Sequence, residues 1–255
     1  MNSIIRQLNN LLYKHIRKDE NLCFIVGAPR SGTTWLWGIL TSCKGITSLD
    51  LDDLAINESS YNGKKRKTSE TGIFFKLDDG DIFKVYSKKR KRFNDVIILE
   101  KTPLHLLYIE RIKKLFPKAK VIILLRNPYS VIASMLNTKF FKFANSLEDA
   151  TNQYYKYYSI LQKYFDEDNF HIVRYEDMKK NTTKEIKEVL EFLHLQIEDK
   201  KLERILKKND SKTKVDQKDA FRKGEIESYK TELSKQDQDF IKKKLVTLVK
   251  EHYFL

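Results

Sequence analysis

Cysteine is scarce in this chain: there are two in 255 residues, Cys23 inside an apolar run and Cys43 near the end of a helical stretch. Two thiols are too few for a disulfide framework and supply no repeated ligand set, so both read as buried thiols and no metal site is expected. Long apolar runs are missing as well, since no segment reaches the length of a membrane span. The first twenty residues, MNSIIRQLNNLLYKHIRKDE, set Ile4, Ile5, Leu8, Leu11, Leu12 and Ile16 at helical spacing among polar residues, unlike the unbroken apolar core of a signal peptide. Internal repeats are absent, and so are low-complexity linkers beyond two basic runs. What remains is the expectation of a soluble, cytoplasmic protein with one domain over residues 1–255, long enough to bury a sizeable core.

Acidic residues are in the minority, 35 aspartates and glutamates against 49 lysines and arginines, for a net charge of +14. A surface of that sign favours anionic ligands whatever the fold. Nucleotides, nucleic acid, acidic peptides and sulfated glycans all satisfy it, and so does a surface of solvated lysines; charge alone does not choose.

Along the chain the pattern is strand, loop, helix, repeated. A strand is predicted at 22–27 and a helix at about 33–43, followed by a short strand and acidic loop within 46–58. DVIILE at 95–100 and KVIILLR at 120–126 are short β-branched runs of the kind found in buried parallel strands, joined by a helical stretch at 104–115. Helices at about 128–137 and 146–165, a strand at 170–175, and helices near 182–193, 198–207 and 234–252 complete the reading. Between KKRK and KKRKR, the stretch GIFFKLDDGDIFKVY places turn-rich DDGD between two β-prone runs, which predicts a β-hairpin at 73–86 in an insertion spanning about 62–94. The expected fold is α/β: a three-layer α/β/α sandwich with a mostly parallel central sheet, like that of P-loop NTPases, carrying that hairpin.

Two segments carry chemistry. In GAPRSGTTW, Gly27 to Trp35, the glycines permit close backbone approach, and the amides leading into the following helix face an anion with the positive end of the helix dipole behind them. Ser31, Thr33 and Thr34 add hydroxyls, and Arg30 brings a planar fork suited to a tetrahedral anion. What the loop lacks is the lysine of a nucleoside-triphosphate loop, for Thr33 follows Gly32 directly. In VIILLRNPYSVIASM, Arg126 ends a buried strand at the sheet's carboxyl edge, Asn127 can cap the next helix, Pro128 suits its first turn, and Ser134 follows two turns on.

Together and in this order, the two segments resemble the sulfotransferases that use 3′-phosphoadenosine 5′-phosphosulfate (PAPS). Pro29 to Trp35 match the family's 5′-phosphosulfate loop P-[KR]-S-G-T-T-W, and Arg126, Asn127, Pro128 and Ser134 match its 3′-phosphate motif R-[ND]-P-x-x-x-x-x-S. The resemblance implies PAPS as sulfonate donor, adenosine 3′,5′-bisphosphate (PAP) as product, and no metal. It implies donor contacts from Arg30, Ser31, Gly32, Thr33, Thr34, Trp35, Arg126 and Ser134. LEKTPLHL is similar to the E-K-[ST]-P stretch of glycan and protein sulfotransferases, which implies Lys101 at the bridging oxygen or transferring sulfonate. FRKGEIESYK resembles the segment that closes over the 3′ phosphate, implying Arg222, Lys223 and Gly224 there, with Glu227, Ser228 and Tyr229 replacing the family's later glycine, aspartate and tryptophan. VRYEDM matches a stretch that is structural in the family.

The proton acceptor has two kinds of candidate. The family's cytosolic branch has a histidine directly after K-T, where this chain has Pro103, with His105 two residues on. Other branches take a glutamate from the loop after the second strand, where this chain offers the carboxylates Asp50, Asp52, Asp53 and Glu58, with Asp52 the best single choice. The expected activity is sulfonate transfer to a hydroxyl or amine acceptor whose class the sequence leaves open, an acidic one included. No specific nucleic acid is expected as a partner. Two rivals stay in view: a nucleotide kinase or NTPase with a degenerate loop, and a basic nucleic-acid-binding protein using KKRK and KKRKR.

Overall fold

The structure is a computed structural model that describes residues 19–54, 70–93, 96–138, 144–210 and 226–249, with the backbone alone at Leu51 and Asp52. Five short apolar runs form one sheet: β1 Leu22–Gly27, β2 Ile46–Ser48, β3 Ile97–Lys101, β4 Lys120–Leu125 and β5 Phe170–Arg174. All neighbours are parallel, in the order β2-β3-β1-β4-β5. Parallel neighbours require crossovers, and helices supply them. They run α1 Thr33–Leu40, α2 Ile73–Lys76, α3 Asp79–Arg92, α4 Ile109–Leu115, α5 Pro128–Leu136, α6 Leu147–Leu161, α7 Tyr175–Lys180, α8 Thr182–Phe192, α9 Asp199–Lys208, α10 Tyr229–Glu232 and α11 Lys235–Leu245.

Side-chain alternation along the strands divides the core into two layers. Leu22, Phe24 and Val26 of β1, with Val121, Ile123 and Leu125 of β4, face a cluster that includes Phe74, Tyr86, Phe116 and Tyr157. Cys23 and Ile25 of β1, with Ile122 and Leu124 of β4, face Trp35, Leu36 and Ile39 of α1 and Ile186 and Val189 of α8. A sheet covered on both faces explains why its strands read as continuous apolar runs. Both cysteines are buried free thiols, and burial pushes Cys43 up to about 11.

The hairpin expected at 73–86 does not form: Ile73–Lys76 is one helical turn and Asp79–Arg92 is a helix. Asp78, read as turn chemistry, caps α3 by accepting a hydrogen bond from the Asp81 amide at 2.8 Å. Asp79 and Asp81 fall in the first turn and Lys89, Arg90, Lys91 and Arg92 in the last, which complements the helix dipole at both ends. Ile82, Val85, Tyr86 and Lys89 recur at helical spacing and are the buried residues of α3. That period overrides the β propensity of the individual residues. KKRK, at 64–67, lies outside the described residues.

Candidate active site

The carboxyl ends of β1, β3 and β4 bring the sequence's two motifs together. β1 ends at Gly27, opposite Leu124 of β4, and a Cβ on Gly27 would lie 2.6 Å from the Leu124 carbonyl oxygen. The chain then turns through Arg30 at φ 77° and Gly32 at φ 96° before α1 begins at Thr33. A left-handed arginine is strained by roughly 1–2 kcal/mol and persists only where neighbours hold it. They do so from both sides: Arg30 Nε donates to Ser134 Oγ at 3.0 Å, and the Arg30 carbonyl accepts from Arg126 Nη1 at 3.0 Å.

Arg126 and Ser134 are set by local sequence. The Asn127 side chain caps α5 by accepting from the Tyr129 amide at 2.9 Å and the Ser130 amide at 3.4 Å, with Pro128 in the first turn. The Asn127 amide itself donates to Glu176 of α7 at 2.9 Å. The Arg126 guanidinium lies 4.3 Å from the centre of the Tyr175 ring. That same ring backs Gly32, where a Cβ would come within 2.5 Å of it. Tyr175, part of the stretch read as structural, therefore joins the two motifs physically. Ser31 and Thr33 are buried, as is Trp35, whose indole N–H donates to the Asn209 carbonyl at 3.0 Å.

Lys101 ends β3 and faces the loop. Its Nζ donates to Thr34 Oγ1 at 3.2 Å and lies 3.1 Å from Glu70 Oε1. Burial pulls this ammonium below its ordinary range, and the Glu70 and Glu100 carboxylates offset part of the effect.

His105 is elsewhere. Its side chain is fully buried, with Nδ1 2.8 Å from Glu100 Oε2 and Nε2 without a hydrogen-bond partner. The rings of Phe74 and Phe75 lie against it, with centroids 5.0 and 5.3 Å away. Glu100 precedes Lys101 on β3 and so points to the opposite face, into the Phe74 layer. Burial by itself would push its carboxyl up. The facing His105 and hydrogen bonds from His105, Thr102 and Thr71 outweigh that and hold Glu100 below the usual carboxylate range.

Of the carboxylates after β2, Asp53 is engaged, 2.7 Å from Lys89 Nζ and accepting from the Asp50 amide at 2.8 Å. Asp52 lies on the one-turn 3-10 helix Leu51–Leu54, its side chain outside the described residues, as are Glu58 and the three residues Arg222, Lys223 and Gly224. Glu70 was missed by the sequence reading, which left it in an insertion. Nothing local marks it, and only its contact with Lys101, 31 positions away, brings it to the site. Among the described residues, no group of three or more His, Cys, Asp or Glu could hold a metal ion, and no helix is long and apolar enough to cross a membrane.

A profile of the Sulfotransferase family matches residues 23–199, from β1 to the start of α9. The chain belongs to the sulfotransferase family. Rat Sulfotransferase 2A1 is 30% identical over 217 residues, covering 78% of this chain and 68% of its own length. Mouse sulfotransferase SULT7A1, solved complexed with PAP, superposes with a TM-score of 0.66 at 17% identity, over 91% of this chain and 85% of its own. Sulfotransferase STF9 from Mycobacterium avium gives a TM-score of 0.57 at 15% identity, over 92% of this chain and 80% of its own. At such identities the likeness to the solved structures is one of fold. As a sulfotransferase the chain is an enzyme of sulfonate transfer, and neither rival reading, the degenerate kinase or NTPase and the basic nucleic-acid binder, is favoured.

Proposed function

We propose that this sulfotransferase is a single domain that takes its sulfonate from PAPS, releases PAP, and delivers the group to a hydroxyl or amine acceptor. The observation that carries this reading is the pair of bonds tying the two motifs into one surface, Arg30 Nε to Ser134 Oγ and Arg126 Nη1 to the Arg30 carbonyl. The residues present fit a doubly phosphorylated nucleotide: Arg30, Lys101 and Arg126 supply three cations, Thr34 and Ser134 supply hydroxyls, and α1 starts from this loop with no side-chain cap on its first turn. When bound, the donor supplies a sulfonate activated by its anhydride bond to phosphate.

In this reading Arg30, with the loop from Ser31 to Trp35, binds the 5′ end, and Lys101 offsets charge at the bridging oxygen. Arg126 and Ser134 bind the 3′ phosphate. The segment with Arg222, Lys223 and Gly224 covers that phosphate. The described residues on either side of it support this: the Asn209 carbonyl accepts from Trp35 of α1, and the Ile226 carbonyl accepts from Ser130 of α5 at 3.1 Å. Positioning and charge neutralisation then carry most of the acceleration, as in phosphoryl transfer. For the acceptor's proton, the family resemblance offers Asp52, carried just beyond the carboxyl end of β2; His105, enclosed beneath β3, is left with a structural part. The low thiol count supports a cytoplasmic setting.

The test is ligand linkage. PAP raises the melting temperature of the native protein without magnesium and by more than ATP does, read by differential scanning fluorimetry over a titration. Stabilisation by ATP alone, dependent on magnesium, refutes the PAPS reading.

A further inference from the structure

A polar stripe runs along α5, a helix buried from Pro128 to Met135. Ser130, Ser134 and Asn137 recur at the spacing i, i+4, i+7 and so share one face, with Asn137 just past the helix end. Each is bonded to a segment distant in sequence. Ser134 Oγ accepts from Arg30 Nε at 3.0 Å, Ser130 Oγ donates to the Ile226 carbonyl at 3.1 Å, and Asn137 Nδ2 donates to Glu232 Oε2 at 2.8 Å. Beside the stripe, the buried rings of Tyr129 and Tyr229 pack with centroids 5.1 Å apart. A serine hydroxyl within a helix commonly donates to the carbonyl four residues earlier. For Ser130 that is the Arg126 carbonyl, which already accepts from Tyr154 Oη at 3.1 Å. The hydroxyl goes instead to a carbonyl 96 positions away. Ser130 is buried, and a buried hydroxyl without an acceptor is costly, so this bond selects which residue of the carboxyl-terminal chain lies against α5.

We propose that Ser130 is a positioning residue for recognition of the 3′ phosphate, holding the chain at Ile226 against the helix face that carries Ser134. The inference rests on the donor reading above, which gives the 3′ phosphate to Arg126 and Ser134 and covers it with the segment from Arg222 to Gly224. Ser130 and Ser134 are four residues apart on the helix, a rise of about 6 Å. Ile226 follows Gly224 by two positions, a chain reach of about 7 Å at full extension. The anchored carbonyl therefore lies close to the phosphate site by both routes. The pairs Asn137–Glu232 and Tyr129–Tyr229 fasten α10 to the same helix, so the chain cannot slide along α5 without breaking three contacts together. The phosphosulfate loop reaches α5 through Ser134 and not through Ser130. Loss of the Ser130 hydroxyl thus acts on ligands that carry a 3′ phosphate and spares those that do not.

The experiment compares native protein with Ser130→Ala, Ser130→Thr and Asn137→Ala. Affinities for PAP and for adenosine 5′-phosphate are measured by calorimetry, with the ligand-free melting temperature as a check on folding. Ser130→Ala is expected to lower the ratio of the two affinities at least threefold, about the effect of one lost hydrogen bond, by weakening PAP and not adenosine 5′-phosphate. Ser130→Thr keeps the hydroxyl and should stay within twofold of the native ratio. Asn137→Ala removes the exposed tether to Glu232 without emptying a buried position, and should lower the ratio in the same direction. Three results overturn the proposal: a ratio in Ser130→Ala within threefold of native, both affinities falling by the same factor, or a ratio in Ser130→Thr as low as in Ser130→Ala. Should Ser130→Ala not fold, a native ratio in Asn137→Ala overturns it. Failure of the donor reading is distinguishable, because the native protein would then bind PAP no more tightly than adenosine 5′-phosphate.

Discussion

Replacing Gly32 with alanine tests the architecture of the loop with the least chemistry changed. Gly32 has φ 96°, and an added Cβ would lie 2.5 and 2.7 Å from two carbons of the Tyr175 ring. The left-handed conformation costs an alanine about 1–2 kcal/mol. Displacing a packed ring adds about 1–3 kcal/mol. The sum, about 2–5 kcal/mol, corresponds to a fall in melting temperature of roughly 4–20 °C for a chain of this size. Gly45 provides the control. It has φ 91°, but a Cβ there meets only the end of the Leu195 side chain, at 3.3 Å, so Gly45→Ala carries the conformational cost without the ring. The Tyr175 ring also supports the Arg126 guanidinium at 4.3 Å. Gly32→Ala should therefore weaken PAP binding as well as the fold, and Gly45→Ala the fold alone. Urea denaturation of both variants, with PAP titrations read by calorimetry, measures the two effects separately. Equal stability losses at the two glycines would refute the ring contact, and an undiminished PAP affinity in Gly32→Ala would refute the link through Tyr175.

Arg126→Ala should reduce PAP affinity about tenfold to a hundredfold, because charge-assisted hydrogen bonds contribute about 1.5–3 kcal/mol, while adenosine 5′-phosphate, which lacks the 3′ phosphate, should lose much less; equal losses in calorimetry would leave Arg126 a structural part only. His105→Ala breaks a buried pair and should cost about 3–5 kcal/mol in urea denaturation with PAP affinity within threefold of native, since its partner Glu100 points away from Lys101. The pH dependence of stability has a definite sign at the same place: the Glu100 carboxyl is held below its ordinary 4.5 in the folded state, so its contribution is present in full above that value and is lost as pH falls through the depressed one. Glu100→Gln should remove that acid segment from the stability profile, and an unchanged profile would show that Glu100 is not its source.

The sequence by itself determined the sheet and the two motifs that meet at its carboxyl edge. Runs such as VIILL have no polar face to offer water, which suits inner parallel strands, and glycine, proline and a capping asparagine prescribe their turns through the local backbone. Those are short-range constraints, and composition carries them. The segment 73–92 shows where such reasoning ends, for its DDGD fits a turn as well as a helix start, and only the packing of Ile82, Val85, Tyr86 and Lys89 against the rest of the molecule selects the helix. Tertiary structure alone decided the partners of the ionisable side chains. Glu100 and Lys101 are neighbours in sequence, but strand alternation sends one to His105 in the core and the other to Thr34 at the loop. Glu70 meets Lys101 only because Thr71 and Gly72 are bonded to residues some thirty positions away, and no local pattern encodes a contact made by the folding of distant segments onto one strand end.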